Sequence, residues 1–197
     1  NNFILINLIY MFKKLLHVSL ILENIVKFSG KVGAWLSLPL IFIIIFDVIT
    51  RRFFILGSTK LQELEWHLHT AIFLLTLGFA YINNAHVRIE IIRERYSSTL
   101  KSFFEIVGIS LFLIPYTYII IYYGIDFVSR SYNLNEVSSA LTGLSHRWII
   151  KSFIPIGMLL LFLAGFSILL KNILFLIAKF KKDKKILTTF FEKDPCL

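Results

Sequence analysis

Residues 149–170 read IIKSFIPIGMLLLFLAGFSILL and contain one charged side chain, Lys151. A helix needs about 20 predominantly apolar residues to cross the hydrocarbon core of a bilayer, and this stretch is long enough. It is too long for a core strand, and it lacks the alternation of polar and apolar residues that marks a membrane-barrel strand. The stretch therefore predicts a transmembrane α-helix.

Three further apolar stretches of similar length precede it, at residues 30–50, 64–83 and 103–128. The whole chain is 57% hydrophobic and has a mean hydropathy of +0.76. Soluble domains are closer to half apolar. The sequence thus predicts an all-α membrane protein with four transmembrane helices in a domain of residues 30–170, and no loop is long enough to fold as a separate domain.

The segment before the first span, residues 1–29, has a different pattern. From residue 13 onward its polar side chains recur at helical spacing, and the rest of the segment is largely apolar. A basic stripe opposite an apolar face is typical of an amphipathic helix that lies in the headgroup plane of the membrane. A secretory signal peptide is the alternative interpretation, but Glu23, Asn24 and Lys27 interrupt the apolar region and no small-residue cleavage site follows. The stripe comprises Lys13, His17, Asn24 and Lys27, and it continues to Lys31 at the start of the first predicted span.

The basic residues follow the membrane edges, so the net charge of +9 does not indicate nucleic-acid binding. Fifteen Lys and Arg residues fall in the N-terminal segment, the loop after the second span and the tail of residues 171–197, against six on the opposite side. The positive-inside rule then predicts that both termini are cytoplasmic. The tail motif KFKKDKK at residues 179–185 predicts contact with anionic lipid at the cytoplasmic face.

The motif LQELEWHLH at residues 61–69 brings carboxylates and imidazoles together at the start of the second span. A capping box beginning at Thr59 predicts that the motif forms the first turns of a helix. On a helix, Glu63 pairs with His67 and Glu65 pairs with His69, on nearly opposite faces. Each face then has too few ligands for a metal ion, so we expect a polar ring at the membrane interface, with no metal bound.

Two other pairs have the same i,i+4 spacing, Asp47 with Arg51 and Asp126 with Arg130. Both lie at the outer ends of their helices, on the side of the membrane that the predicted topology places away from the cytoplasm. An ion pair of this kind neutralises an aspartate just inside the hydrocarbon while the arginine extends toward the headgroups. We expect both pairs to be structural.

Histidine-ligated haem is an alternative function from another class. The predicted topology puts His67, His69 and His146 on the same side of the membrane, where two could act as axial ligands of a respiratory anchor that binds haem or quinone. His146 precedes the fourth span and does not lie within it, which weakens this interpretation.

Five motifs, in order along the chain, resemble the small membrane subunit of the tripartite ATP-independent periplasmic (TRAP) transporters, the DctQ-like subunit. They are DVITRR at 47–52, LQELEWH at 61–67, AY at 80–81, HVRIE at 86–90 and LSHRWIIK at 144–151. The similarity extends from about residue 30 to residue 170, with the motifs placed at helix ends. One departure is Glu90, where the family commonly has aspartate.

The resemblance implies a scaffold subunit in the bacterial inner membrane that assembles with a large permease subunit and a periplasmic solute-binding protein. The transporter as a whole would import small organic acids or related solutes, and this chain would be neither an enzyme nor a binder of substrate, metal or cofactor. Polar groups at helix ends need partners in a membrane. The residues expected to serve the subunit interface or its structure are Asp47, Arg51, Glu65, His67, Arg88, Glu90, Asp126, Arg130 and Arg147.

Overall fold

The computed structural model describes residues 2–54, 58–85, 96–140 and 142–180, with side chains from residue 10 onward. All regular elements within these ranges are helices. In chain order they are α1 (Asn2–Trp35), α2 (Ser37–Phe53), α3 (Thr59–Ile82), α4 (Ser98–Gly108), a π-helical segment (Ile109–Leu113), α5 (Ile114–Asn133) and α6 (Trp148–Phe180).

Helix α6 is the central element, and α1, α3, α4 and α5 all pack against it. Its sequence is apolar on nearly every side, which is the pattern of a helix enclosed by neighbours. Leu74 of α3 forms a core cluster with Met158 and Leu161 of α6. The fold is therefore a helical bundle arranged around α6.

Glycines let α3 and α6 approach at backbone distance. A Cβ atom added to Gly78 would lie 2.8 Å from the carbonyl oxygen of Leu160, and one added to Gly157 would lie 2.8 Å from that of Leu74. Small residues at helix contacts are typical of membrane helices, where close backbone packing replaces the hydrophobic effect as the main attraction. These two glycines set the spacing of α3 and α6.

Helices α1 and α2 form one helical stretch with a single interruption at Leu36. The amide of Leu36 donates to Val32 and the amide of Leu40 donates to Leu36, so hydrogen bonding continues on both sides. Pro39 has no N–H group to donate to the carbonyl of Trp35, which accounts for the interruption. The helix passes the expected domain boundary at residues 29–30 without a break.

The buried seam of α1 differs from its basic stripe. Phe12, Ser19, Glu23, Val26 and Gly30 are buried at spacings of three, four and seven residues, which is the spacing of a helix-packing face. The stripe residues are exposed, except Lys27, which is half-buried. The apolar residues outside the seam are also largely exposed, so α1 presents large apolar side chains outward together with its basic stripe.

Within the described residues, three helical stretches are long and apolar enough to cross a membrane: Tyr10–Phe53, Ser98–Asn133 and Trp148–Phe180. The predicted span at residues 64–83 is not among them, although α3 has 24 residues. Charged and imidazole side chains in the first three turns of α3 lower its mean hydropathy. The membrane crossing by α3 and the cytoplasmic location of both termini stay predictions.

Candidate functional site at the polar end of the bundle

Charged residues gather at one end of the bundle, where α2 and α5 end and α3 and α6 begin; we call this the polar end. Glu63 of α3 holds the loop between α5 and α6 against it. Its Oε1 accepts a hydrogen bond from the Ser138 hydroxyl, and its Oε2 accepts one from the backbone amide of Leu144 at 2.6 Å. A single carboxylate thus fixes two points of this loop.

Glu136 fixes the other side of the same loop. Its carboxylate forms an ion pair with Lys151 of α6, and its carbonyl oxygen accepts from the amide of Arg147 at 3.2 Å. The Lys151 ammonium also lies 4.0 Å from the centre of the Phe127 ring, a cation–π contact. These contacts together hold the loop against α3, α5 and α6. Its described residues are 134–140 and 142–147.

The surroundings of these two carboxylates lower their pKa values. For Glu63, which precedes the predicted span 64–83, the largest cause is the hydrogen bond from the Leu144 amide, followed by that from Ser138. For Glu136 the largest cause is the hydrogen bond from Lys151. The positive charge of Arg147 lowers both pKa values further, so the two carboxylates and Arg147 form one electrostatic cluster.

Acidification is expected to loosen the loop only at low pH. Because both folded-state pKa values lie below the ordinary value of 4.5, this stabilisation is fully present above about pH 4.5 and is lost as pH falls through the folded values. Hydrogen exchange of the loop amides, corrected for intrinsic rates, should be constant from pH 7 to pH 5 and rise below. Glu63→Gln should speed this exchange already at pH 7, whereas Asp126→Asn should not. Equal exchange in both variants would contradict the role of Glu63.

A second group of polar residues lines a cleft between α2 and α3. Asp47 forms an ion pair with Arg51 along α2. In the amide orientation that satisfies both of its polar atoms, Gln62 accepts from Arg51 Nη1 at 3.1 Å and from Nη2 at 2.7 Å. Arg51 therefore joins the end of α2 to the start of α3. The cleft has a volume of about 560 Å³ and is lined by Ile44, Asp47, Val48, Arg51, Arg52 and Glu65.

Two carboxylate oxygens in this cleft are buried and have no hydrogen-bond partner within the described ranges. They are Oδ1 of Asp47, a residue that is only 3% exposed, and Oε1 of Glu65. Burying a carboxylate oxygen without a donor is costly, and the cost rises in surroundings of low dielectric constant. The cleft is thus an incomplete polar site that a hydrogen-bond donor from outside the described residues would complete.

The other sequence-predicted residues are distributed around these two groups. Asp126 and Arg130 form an ion pair at 2.7 Å, with side chains 52% and 75% exposed, so this pair is more open to its surroundings than Asp47 with Arg51. His67 is half-buried on α3, and Arg147 contributes to the loop cluster. Arg88 and Glu90, like the lysines of the tail beyond residue 180, lie outside the described residues.

The histidines considered for haem do not share an environment. His69 and His146 are exposed, His67 is half-buried, and Nδ1 of His146 lies 2.9 Å from the Ser145 hydroxyl. His146 occupies the loop with a positive φ of 62°, outside any helix. Axial haem ligands normally project from facing helices.

The sequence alone did not identify the side chains that connect helices and loops far apart along the chain. The i,i+4 spacing predicts a pair of Glu63 with His67, but both carboxylate oxygens of Glu63 accept hydrogen bonds from the loop. The expected cap Thr59 is also wrong by one residue, since Ser58 is the N-cap and its side chain accepts from the Leu61 amide. Glu23, treated only as an interruption of an apolar region, is buried between Lys27 and Lys171. Local spacing could not indicate the loop partners of Glu63 or the pairing of Glu23 with Lys171, which are 75, 81 and 148 residues away in the sequence.

Long apolar helices joined through glycine contacts, with charged groups at their ends, define a multi-pass helical membrane protein. Comparison with protein families agrees: the model described as "Tripartite ATP-independent periplasmic transporters, DctQ component" matches residues 40–174. The chain therefore belongs to the DctQ family, the small permease component of TRAP transporters, and the resemblance carried by the five sequence motifs is confirmed. This is a family of transporter subunits and not of enzymes. A search of curated proteins found no match to the chain.

Proposed function

We propose that this chain is the scaffold subunit of a secondary active transporter that imports small organic acids or related solutes. It would act with a large permease subunit and a periplasmic solute-binding protein in the bacterial inner membrane. The observation that carries the proposal is the family match over residues 40–174. The excess of Lys and Arg at the N-terminal segment, the middle loop and the tail supports cytoplasmic termini, which would turn the polar end toward the periplasm.

The small number of helices in the described residues favours a scaffold role over that of a complete transporter. A transporter with its own alternating-access core generally has two repeats of several helices each, with the substrate site near the bilayer midplane. The polar groups described above lie instead at the ends of the helices. We therefore assign substrate and ion binding to the large subunit.

Within the described residues, the cleft between α2 and α3 contains two buried carboxylate oxygens without a hydrogen-bond partner, so we place the contact with the large subunit there. A donor side chain from the large subunit would hydrogen-bond to the unpaired oxygens of Asp47 and Glu65 and so remove the cost of burying them. Interhelical hydrogen bonds are a usual means of association between membrane helices. The apolar residues of α2 next to the cleft, including Ile45 and Val48, are exposed and would widen the contact.

A second exposed surface lies on α5. Tyr116, Tyr118, Tyr122 and Tyr123 are 56–65% exposed, and they fall well inside the predicted span 103–128. Tyrosine in membrane helices normally concentrates at the two interfaces, where its hydroxyl reaches water or headgroups. Tyrosine is also enriched at protein interfaces. These side chains thus favour contact with protein over contact with lipid tails alone.

Co-expression tests the proposal directly. Reading frames next to the gene are expected to encode a large permease and a secreted solute-binding protein, and the large permease should co-purify with this chain. The complex, reconstituted in liposomes with the binding protein, should take up solute when an ion gradient is applied. A haem Soret band in the purified protein, together with failure to bind the permease, would overturn the proposal in favour of a redox anchor.

Substitution of Glu65 should weaken assembly without changing substrate selectivity. Glu65→Ala removes the unpaired carboxylate, but it also leaves the donor side chain of the large subunit without an acceptor. Loss of one partner from a buried, charged hydrogen bond weakens the binding free energy by about 2–5 kcal/mol. We expect at least a tenfold weaker association, measured by co-purification at graded detergent concentrations.

The matched control is Lys60→Ala, an exposed residue in the same turns of α3 but on another face, which should assemble normally. Unchanged association in Glu65→Ala would exclude the cleft from the interface. A shifted substrate preference would contradict the scaffold role.

A further inference from the structure

A groove runs between α1 and α6 at the end of the bundle opposite the polar end. Its volume is about 590 Å³. We call it the basic groove; it is lined by Tyr10, Lys13, Lys14, Leu16, His17, Leu20 and Lys171. The groove therefore combines three ammonium groups and an imidazole with two leucine side chains.

Packing between the two helices fixes the shape of the groove. Phe12 of α1 is fully buried against Leu174 and Ala178 of α6. The hydroxyl oxygens of Ser19 and Ser167 lie 2.8 Å apart, and the Ser167 hydroxyl is also within 3.1 Å of the Ser19 carbonyl oxygen. These contacts set α1 and α6 in an antiparallel register that brings Lys171 beside the basic side chains of α1.

The charges in the groove are only partly balanced. Glu23, whose side chain is 7% exposed, forms ion pairs with Lys171 and Lys27. None of the residues that line the groove is acidic, and the described residues provide no carboxylate partner for Lys13 or Lys14. Both lysines are exposed. The groove consequently has an excess of positive charge and ammonium donors that are free to bind an anion.

The position of the groove relative to the bilayer indicates which anion it meets. The predicted span at residues 149–170 ends directly before Lys171, which places the groove at the level of the headgroups. Leu16 and Leu20 line the same groove as the lysines, and the neighbouring α1 residues Ile21 and Ile25 are 47% and 46% exposed, so the apolar surface continues along the helix. A phosphate with attached acyl chains fits this combination of donors and apolar surface better than a free anion does.

We propose that the basic groove binds the phosphate of an anionic phospholipid. Lys13 and Lys14 hold the phosphate, Leu16 and Leu20 contact the first part of an acyl chain, and Lys171 forms the opposite wall while staying paired with Glu23. This site is independent of the proposed subunit interface, because it lies at the other end of the bundle and involves none of the residues of the cleft between α2 and α3.

The test uses the purified full-length chain in a neutral detergent, titrated with phosphatidylglycerol or phosphatidylcholine and followed by native mass spectrometry. Phosphatidylglycerol should bind preferentially. Since each lysine near an anionic lipid contributes about 1 kcal/mol, Lys13→Gln/Lys14→Gln should weaken its binding about 30-fold. Lys13→Arg/Lys14→Arg should retain binding, and both variants should keep the melting temperature of the wild type because the two side chains are exposed.

The matched control is Lys31→Gln/Lys60→Gln, which removes the same charge at exposed positions away from the groove. Equal losses in the two glutamine variants would show attraction by net charge alone and would overturn the site. Binding of phosphatidylcholine as tight as that of phosphatidylglycerol would also overturn it. If excess inorganic phosphate displaces the lipid completely and binds as tightly by itself, the ligand is a free phosphate and the lipid assignment is wrong.

Discussion

Glu23→Ala is expected to lower the free energy of unfolding in detergent by about 3 kcal/mol. The Glu23 carboxylate is almost fully buried between α1 and α6, where it pairs with Lys171 and accepts from the Ser167 hydroxyl at 3.3 Å. Removal of one partner from a buried ion pair leaves the other charge without compensation, at a cost of about 3–5 kcal/mol. The Lys171 side chain is 25% exposed and can extend toward the headgroups, so the lower end of that range applies.

A double substitution separates the ion pair from simple packing. Glu23→Leu/Lys171→Leu removes both charges and keeps apolar volume, so it should recover most of the stability lost in Glu23→Ala. Lys27→Ala, which removes the longer and more exposed contact at 3.6 Å, should cost less than about 1 kcal/mol. Thermal or denaturant unfolding of the three variants provides the comparison. If Glu23→Ala were as stable as the wild type, the buried pair would have no part in holding α1 to α6.

Gly157→Ala is expected to have the second-largest effect, a loss of about 1–3 kcal/mol. The added methyl group would meet the backbone carbonyl oxygen of Leu74 at 2.8 Å and its Cβ at 2.7 Å. A backbone atom cannot move aside as the end of a flexible side chain can, so α3 and α6 would have to separate. Gly78→Ala should act similarly, since its methyl group would meet the carbonyl of Leu160.

Gly108→Ala is the control for these variants and should have the opposite sign. A Cβ atom added at Gly108 meets nothing within 4 Å, and the residue is helical. Alanine in place of a helical glycine is worth about 1 kcal/mol when no contact is disturbed. The unfolding midpoint should therefore rise in Gly108→Ala and fall in Gly157→Ala. A rise in both would show that α3 and α6 are not in backbone contact at Gly157.

The helices themselves were largely predictable, because the apolar stretches at 103–128 and 149–170 are long enough to identify from composition alone. The continuity of α1 was not, since the sequence around Ser29 and Gly30 resembles the start of a new element. Its buried face was also missed. Ser19, Glu23 and Gly30 are buried only because α3 and α6 lie against them, and single-chain periodicity assigns such residues to a surface.

The same distinction applies at the polar end. The ion pairs of Asp47 with Arg51 and of Asp126 with Arg130 are present, as their spacing predicts, because both members of each pair lie on one helix. Glu63, by contrast, has partners 75 and 81 residues away. Hydrogen bonds of that separation depend on the tertiary fold, and the membership of any of these residues in a subunit interface stays a prediction.

The unbroken course of α1 has a mechanical consequence. The helix is clamped at Gly30, over which the Phe79 ring of α3 lies where a Cβ atom would otherwise be. From Gly30 to Phe12 the helix extends about 27 Å. Along this length it is fastened to α6 by the contact between Ser19 and Ser167, the ion pair of Glu23 with Lys171, and the packing of Phe12. Helix α1 therefore acts as a brace held along its length, which couples the contact with α3 at Gly30 to the basic groove at its other end.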